Sequence, residues 1–381
     1  MGIGGGPTPT IRGATIDGYI KDAQILFDLF TFADGGSVKE PGDNHVYYNE
    51  ITSDSLGGWH TLGRSNLQPL LENKDLNVSD FFLIRSKGGT DISTNNPVTD
   101  EYRMFLDTDM ETIVDNDWGA NLDIITTIAS YAVQSFVTYP APRSLDWSDG
   151  SAARIDTGGE VIASSGAFTT GRHSDLSPFK IIAGTYNMLN LPNTYYKKTD
   201  FIVDEDIEKA IKTQQLEALV YILKNLYCDT SSGKAIDGDT VLKAIGKTVV
   251  DVATLGGILP TDLFDGSVII KIMENIAEPD GVVSKNPGIP HESVFFNTFK
   301  DFIITVMAVY WNGEDLMASS PFEERYKEII KITEGIKEVL DEVVDDPSAS
   351  AHFYSDPSFF LNDMQVKADN ITLGTIVRPP Q

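Results

Sequence analysis

In the first third of the chain, apolar and polar residues alternate over short stretches bounded by turn residues. TIDGYIKDAQILFDLF (Thr15–Phe30) reads as a strand, a turn at Lys21-Asp22, and a second strand in which Ala23, Ile25 and Phe27 alternate with Gln24, Leu26 and Asp28. HVYYNEIT (His45–Thr52), WHTLG (Trp59–Gly63) and Phe81–Arg85 read as further strands. Two Gly-Gly pairs punctuate them. In SDSLGG, Gly57 and Gly58 are expected to supply positive φ, and Gly88 and Gly89 in SKGGTD mark a second turn. The neighbouring Asp54 and Asp91 are expected to accept hydrogen bonds from turn amides.

Near Asn121 the period lengthens to that of a helix, with Leu122, Ile125, Ala129, Val133 and Phe136 on one face. Residues 139–173 are rich in Gly, Ser, Asp and Pro and read as a long loop or a small β excursion. From Ser174 helical patterns follow in series. The clearest, DEDIEKAIKTQQLEALVYILKNLYC, carries acids in its first turn and aligns Ile207, Ile211, Ala218, Leu219, Ile222 and Leu226. Later ones align Val241, Ile245, Val249 and Val252, then Val268, Ile269, Ile272 and Ile276, then Tyr326, Ile329, Ile336, Leu340 and Val343. The stretch from Phe359 to the end returns to a weak β texture, with Met364, Val366 and Ala368 alternating.

These patterns predict an α+β protein, an N-terminal antiparallel β-sandwich followed by a larger all-α domain. The expected divisions are a flexible arm at 1–13, the sandwich at 14–120, a helix and long loop connector at 121–173, the helical domain at 174–345 and an extended C-terminal arm at 346–381. The C-terminal arm is expected to pair with the sandwich or with a neighbouring subunit's edge.

Charge narrows the partners. The chain has 56 acidic and 29 basic residues, a net charge of −27. That argues against nucleic acid or an anionic membrane surface, which need clustered Lys and Arg. It suits a salty medium, where screening makes the charge tolerable, and hard divalent cations such as calcium. The sole cysteine, Cys228, can form no intrachain disulfide and reads as a buried small hydrophobe within a helical stretch. The N-terminus shows no signal-peptide pattern and no run reaches ~20 apolar residues, so the expectation is a soluble, uncleaved chain without membrane insertion.

Candidate chemistry is sparse. His45, His60, His173, His291 and His352 are scattered, none three or four residues from another, so no helical zinc pair exists. GIGGGP (Gly2–Pro7) follows no strand and opens no helix, as a phosphate loop would require. SSGAF and SSGK lack the nucleophile-elbow and Walker spacings. DTSSGKAIDGD (Asp229–Asp239) lacks EF-hand spacing and reads as an inter-helix turn with Asp239 as N-cap. The acidic run at 107–117 reads as a solvated loop, with adventitious calcium as the alternative. Phe295, Phe296, Phe299 and Phe302 cover more than one face of a helix, which places them in a core or at a subunit interface. No cofactor and no enzymatic activity are expected.

Three stretches resemble one module. TIDGYIKDAQILFD resembles the opening of a β-sandwich repeat beginning D-G-Y-[IL]-x-[DG]-A. TSDSLGGWH resembles its glycine-glycine-aromatic hairpin, and SKGGTDISTNNP its Gly-Gly-x-Asp-x-x-Thr ending. The module is of the prealbumin, or carboxypeptidase-regulatory-like, type, found in virion structural proteins of marine cyanophages and in bacterial surface adhesins. In such proteins a helical segment follows, and LNLPNTYYKKTDFI with AIKTQQLEALVYILKNLYC resembles that continuation. The family often carries an Asp-x-Asn-x-Asn-Gly calcium-like loop after the second strand. Here that place reads DLFTFADGG, leaving Asp28 and Asp34 as candidate metal ligands without the Asn ladder. The resemblance implies a non-enzymatic virion structural subunit in a tail, neck or external appendage, located in the virion, forming homo-oligomers and contacting other virion proteins. An extracellular adhesin or filament subunit is the alternative. A carbohydrate-binding or processing protein is a third reading, with Trp59, Trp118 and Trp147 as stacking candidates.

Overall fold

The structure, a computed structural model, describes residues 11–16, 18–31, 51–60, 80–106, 118–138, 178–192, 200–229, 232, 234–254, 262–277, 282–284, 294–316, 320–374 and 376. Small, mostly antiparallel sheets occupy its N-terminal part and helices its C-terminal part. Two compact units result. One comprises Met1–Tyr186, Pro192–Asp200 and Val377–Gln381, and the other Asn187–Leu191 and Phe201–Ile376.

The first unit is organised on a four-stranded antiparallel sheet in the order β4 (Ile51–Thr52), β3 (Gln24–Thr31), β6 (Asp80–Lys87), β8 (Glu101–Leu106). Its register places Phe27 opposite Ile84 and Ile84 opposite Met104, an apolar row buried on one face. The alternation of period two explains that row. It does not explain the other face, where Leu26, Leu83 and Phe105 are buried as well. A second sheet runs β5 (Gly58–His60), β1 (Ile11–Ala14), β9 (Trp118–Gly119), and here β1 and β9 are parallel, so the expected all-antiparallel arrangement does not hold throughout. A two-stranded pair joins β2 (Ile20–Lys21) to β7 (Thr90–Asp91).

Helix α1 (Ile124–Thr138), expected to belong to a connector, falls in this unit and is buried from Ile124 through Val133. Asp123 caps it by accepting from the Thr126 amide at 2.8 Å. Thr127 donates its hydroxyl to the Asp123 carbonyl and accepts the outward N–H of Arg103 on β8 at 2.8 Å. The helix therefore satisfies a strand-edge donor that would otherwise be open to another chain. Helix α2 (Pro178–Met188) ends, as the sequence predicts, before Pro192.

The second unit contains α3 (Ile207–Leu226), α4 (Gly238–Thr254), α5 (Gly266–Ala277), α6 (Val294–Leu316), α7 (Phe322–Asp345), α8 (Pro347–Ser355), a 3-10 turn (Pro357–Phe360) and α9 (Leu361–Asn370). A short ribbon pairs β10 (Tyr227–Asp229) with β11 (Val282–Ser284). Asp206 caps α3, with its side chain accepting from the Lys209 amide at 3.0 Å. One polar side chain that α3 buries finds its partner on a neighbouring helix. Gln215 donates to the Met307 carbonyl at 2.8 Å. Between α4 and α5, buried Asn275 donates to Thr248 and to Asp251.

The C-terminal segment departs from the expectation of an extended arm. From Pro347 to Asn370 it is helical. Met364 and Ala368 are buried while Val366 between them is 50% exposed, so the spacing that resembled a strand is the i, i+4 step of a helix. Asp346 caps α8 through the amides of Ser348 and Ala349, and Pro347 occupies its first turn.

Candidate functional site

The three motifs, distant in sequence, converge on residues 18–23. Ser53 supplies the tightest link. Its hydroxyl accepts from the Ala23 amide at 2.8 Å and donates to the Ile20 carbonyl at 2.7 Å. Its own amide donates to the Ala23 carbonyl, and its carbonyl accepts from Asp22. On the other side the Ile92 amide donates to the Tyr19 carbonyl at 2.9 Å, beside the β2–β7 pairing of Ile20 with Asp91. Tyr19 is fully buried with φ of 62°, and its hydroxyl donates to Asp200 at 2.6 Å. A bulky residue in the left-handed region costs about 1–3 kcal/mol, so the surrounding bonds must over-determine its conformation.

Both turn aspartates act as predicted. Asp54 accepts from the amides of Leu56 (2.8 Å) and Gly58 (3.0 Å). Asp91, buried, accepts from the Ser93 amide at 2.7 Å and from the hydroxyls of Ser93 and Thr94. The glycines divide differently from expectation. Gly57, Gly88 and Gly89 have positive φ, but Gly58 does not, because it already belongs to extended β5. A Cβ on Gly57 would lie 2.7 Å from that of Tyr19, so this glycine also allows the hairpin to reach the hub.

One charged group was not legible in the sequence. Glu101 lies between Arg85 (3.1 Å) and Arg103 (2.7 Å), with all three side chains near one-tenth exposed. The Arg103 guanidinium sits 4.4 Å from the centre of the Tyr131 ring. The cross-strand register brings the three together, since Arg85 pairs with Arg103 and Lys87 with Glu101. In the second unit, buried Lys212 lies over the Phe264 ring at 4.9 Å. Burial holds its ammonium pKa below the ordinary lysine value, opposed by the carboxylates of Asp262 and Glu208.

The remaining sequence candidates do not form one site. Asp28 lies on β3 opposite Leu83, and Asp34 falls outside the described residues, as does the acidic run at 107–117. Among the described residues no group of three or more His, Cys, Asp or Glu side chains could hold a metal ion. Phe299 and Phe302, proposed for an interface, are buried by this chain's own C-terminal helices. Phe353 lies 5.6 Å from Phe299 and 5.5 Å from Phe302, between ring centres. Phe296 is half-buried, and the side chain of Phe295 lies outside the described part. Trp59 is buried edge-to-face against Phe27 and cannot stack on a ligand. Trp118 lies on β9, and Trp147 falls outside the described residues. His352 is exposed and lies 4.4 Å from the Phe359 ring; His60 lies on β5, and the other three histidines fall outside the described residues. Cys228 is not helical but sits half-buried on β10, just past the end of α3. The cap of α4 is Asp237, which accepts from the amide (2.7 Å) and hydroxyl of Thr240, rather than Asp239. Among the described residues no helix is long and apolar enough to cross a membrane.

Compared with protein-family models, curated proteins and solved structures, the chain matches none of them.

Proposed function

We propose that the protein is a non-enzymatic structural subunit of a virion, part of a tail, neck or external appendage. The observation that carries this reading is the convergence of the three motifs on residues 18–23. Ser53, Asp54 and Asp91 direct their side chains at backbone and turn groups, which is what a scaffold module asks of them. In this reading the two N-terminal sheets are the layers of a sandwich, with Phe27 and Trp59 meeting between them. The net charge of −27 favours work in a salty medium and among protein partners rather than nucleic acid.

The test is gradient purification of particles from cells infected by the virus encoding the chain. The expected result is co-migration with the particle peak and antibody labelling at one structure by electron microscopy. Recovery of the chain only in the soluble fraction would overturn the reading.

A further inference from the structure

The C-terminal tail is attached to its own chain by a connector of one residue. Asp346 still donates its amide to the Glu342 carbonyl, as in a continuing helix, and only its ψ of 111° separates α7 from α8. Pro347 enforces that break, because it has no N–H to continue the helical ladder and disfavours a helical residue before it. Beyond the break the tail folds back along α6 and α7. Phe353 and Phe360 enter the aromatic cluster of Phe299 and Phe302. Tyr354 donates to the Asn225 carbonyl at 3.3 Å. Gly335 lets α9 press against α7, since a Cβ there would lie 2.6 Å from the Met364 carbonyl oxygen.

Only Met364 and Ala368 of α9 are buried. Beside them a cavity of about 30 Å³, room for about one water molecule, is lined by Val306, Val309, Ile332 and Ile336 with Met364 and Ala368. The polar attachment is at the surface, where Lys367 bonds Glu342 and lies 3.9 Å from Glu338. Of the three exposed large apolar side chains among the described residues, two, Phe359 and Val366, lie on the tail. The tail thus presents apolar groups outward while occupying a groove made for it.

We propose that the tail is exchangeable: Pro347–Asn370 of one copy seats on α6 and α7 of a second copy. The occupant is a second copy because groove and tail are matched within one chain, so every contact made in cis is available in trans. Straightening at position 346 would carry α8 along the α7 axis by about 14 Å at ~1.5 Å per residue, out of reach of its own groove. This deepens the structural-subunit reading and takes from it only the expectation of self-assembly.

The test uses two single-cysteine proteins in a Cys228→Ser background, Glu342→Cys and Lys367→Cys. Both positions are ion-paired in the structure, and at both the surface location leaves the fold intact. Mixed at high concentration and oxidised, they are expected to give a disulfide-linked heterodimer at least tenfold above the dimer that either forms alone. No excess over the single proteins would overturn the exchange. Adding Pro347→Ala, which permits a continuous helix, is expected to raise the heterodimer yield; an unchanged yield would overturn the role given to the connector. Exchange is read in purified protein and the virion assignment in particles, so either can fail without the other.

Discussion

Gly88 and Gly89 are adjacent, share a turn and both have positive φ, at 67° and 95°. Substitution by alanine separates what the backbone needs from what the packing needs. At Gly88 an added Cβ meets nothing within 4 Å, so only the left-handed conformation is penalised, by about 1–2 kcal/mol. At Gly89 the same Cβ would lie 2.7 Å from Ile20 Cγ2, 2.7 Å from the Lys21 carbonyl oxygen and 3.0 Å from the Ala23 nitrogen. Two of these are backbone atoms, the Ala23 nitrogen held by the Ser53 hydroxyl and Lys21 held in the β2–β7 ladder, and they cannot easily retreat. Overpacking of about 1–3 kcal/mol therefore adds to the same conformational cost of about 1–2 kcal/mol. Calorimetry should show the melting temperature of the first unit falling by roughly 2–8 °C in Gly88→Ala and roughly 4–20 °C in Gly89→Ala. Gly88→Asn should be nearly neutral, because asparagine tolerates the left-handed region. Equal losses for the two alanine variants would refute the claim that Gly89 sits where the motifs converge.

Three further outcomes follow from the same geometry. Ser53→Ala leaves a buried amide and carbonyl without their side-chain partner and should destabilise the first unit by about 1–3 kcal/mol in urea titration, whereas Ser53→Thr should recover part of it. Glu101→Gln removes the carboxylate that pairs with both Arg85 and Arg103 and should cost about 3–5 kcal/mol; a loss below about 1 kcal/mol would mean that other groups neutralise the arginines. Burial pushes the hydroxyls of Tyr227, Tyr310 and Tyr354 well above the ordinary tyrosine value, and the Thr333 hydroxyl opposes that shift at Tyr310. Above about pH 10 the unfolded chain therefore releases these protons first, and stability falls by up to about 1.4 kcal/mol per pH unit for each tyrosine. Lys212 acts in the opposite direction, since its lowered pKa makes stability rise with pH up to the unfolded lysine value, but it is one group against four, because burial and the bond to Asp341 raise Tyr221 as well. Denaturation midpoints at pH 9, 10 and 11 should fall, and Tyr310→Phe should flatten the decline by about a quarter.

Much of the local structure was legible because it is set by nearest neighbours. The period-two rows of Ala23, Ile25 and Phe27 are buried as the alternation requires. Helix α3 starts at the cap that its first-turn acids announce, and both turn aspartates bond the amides two residues on. The errors arose where a short pattern fits two periods or two positions. Met364, Val366 and Ala368 alternate in sequence, yet a helix buries the first and last and exposes the middle one. Asp237 and Asp239 are both plausible caps, and the winner depends on which amide is free where α4 begins.

The sequence by itself determined the strand at Ala23–Phe27, the helical series from Ile207 onward, and that Gly57, Gly88, Gly89, Asp54 and Asp91 serve the backbone, because those choices rest on dihedral preference and bonds a few residues long. Only the tertiary structure decided that Ser53 ties three motifs together, that Glu101 falls between two arginines, and that Phe299 and Phe302 are covered by this chain's own tail. Those outcomes depend on strand register and helix docking between residues far apart in the chain, and neither leaves a trace in local periodicity.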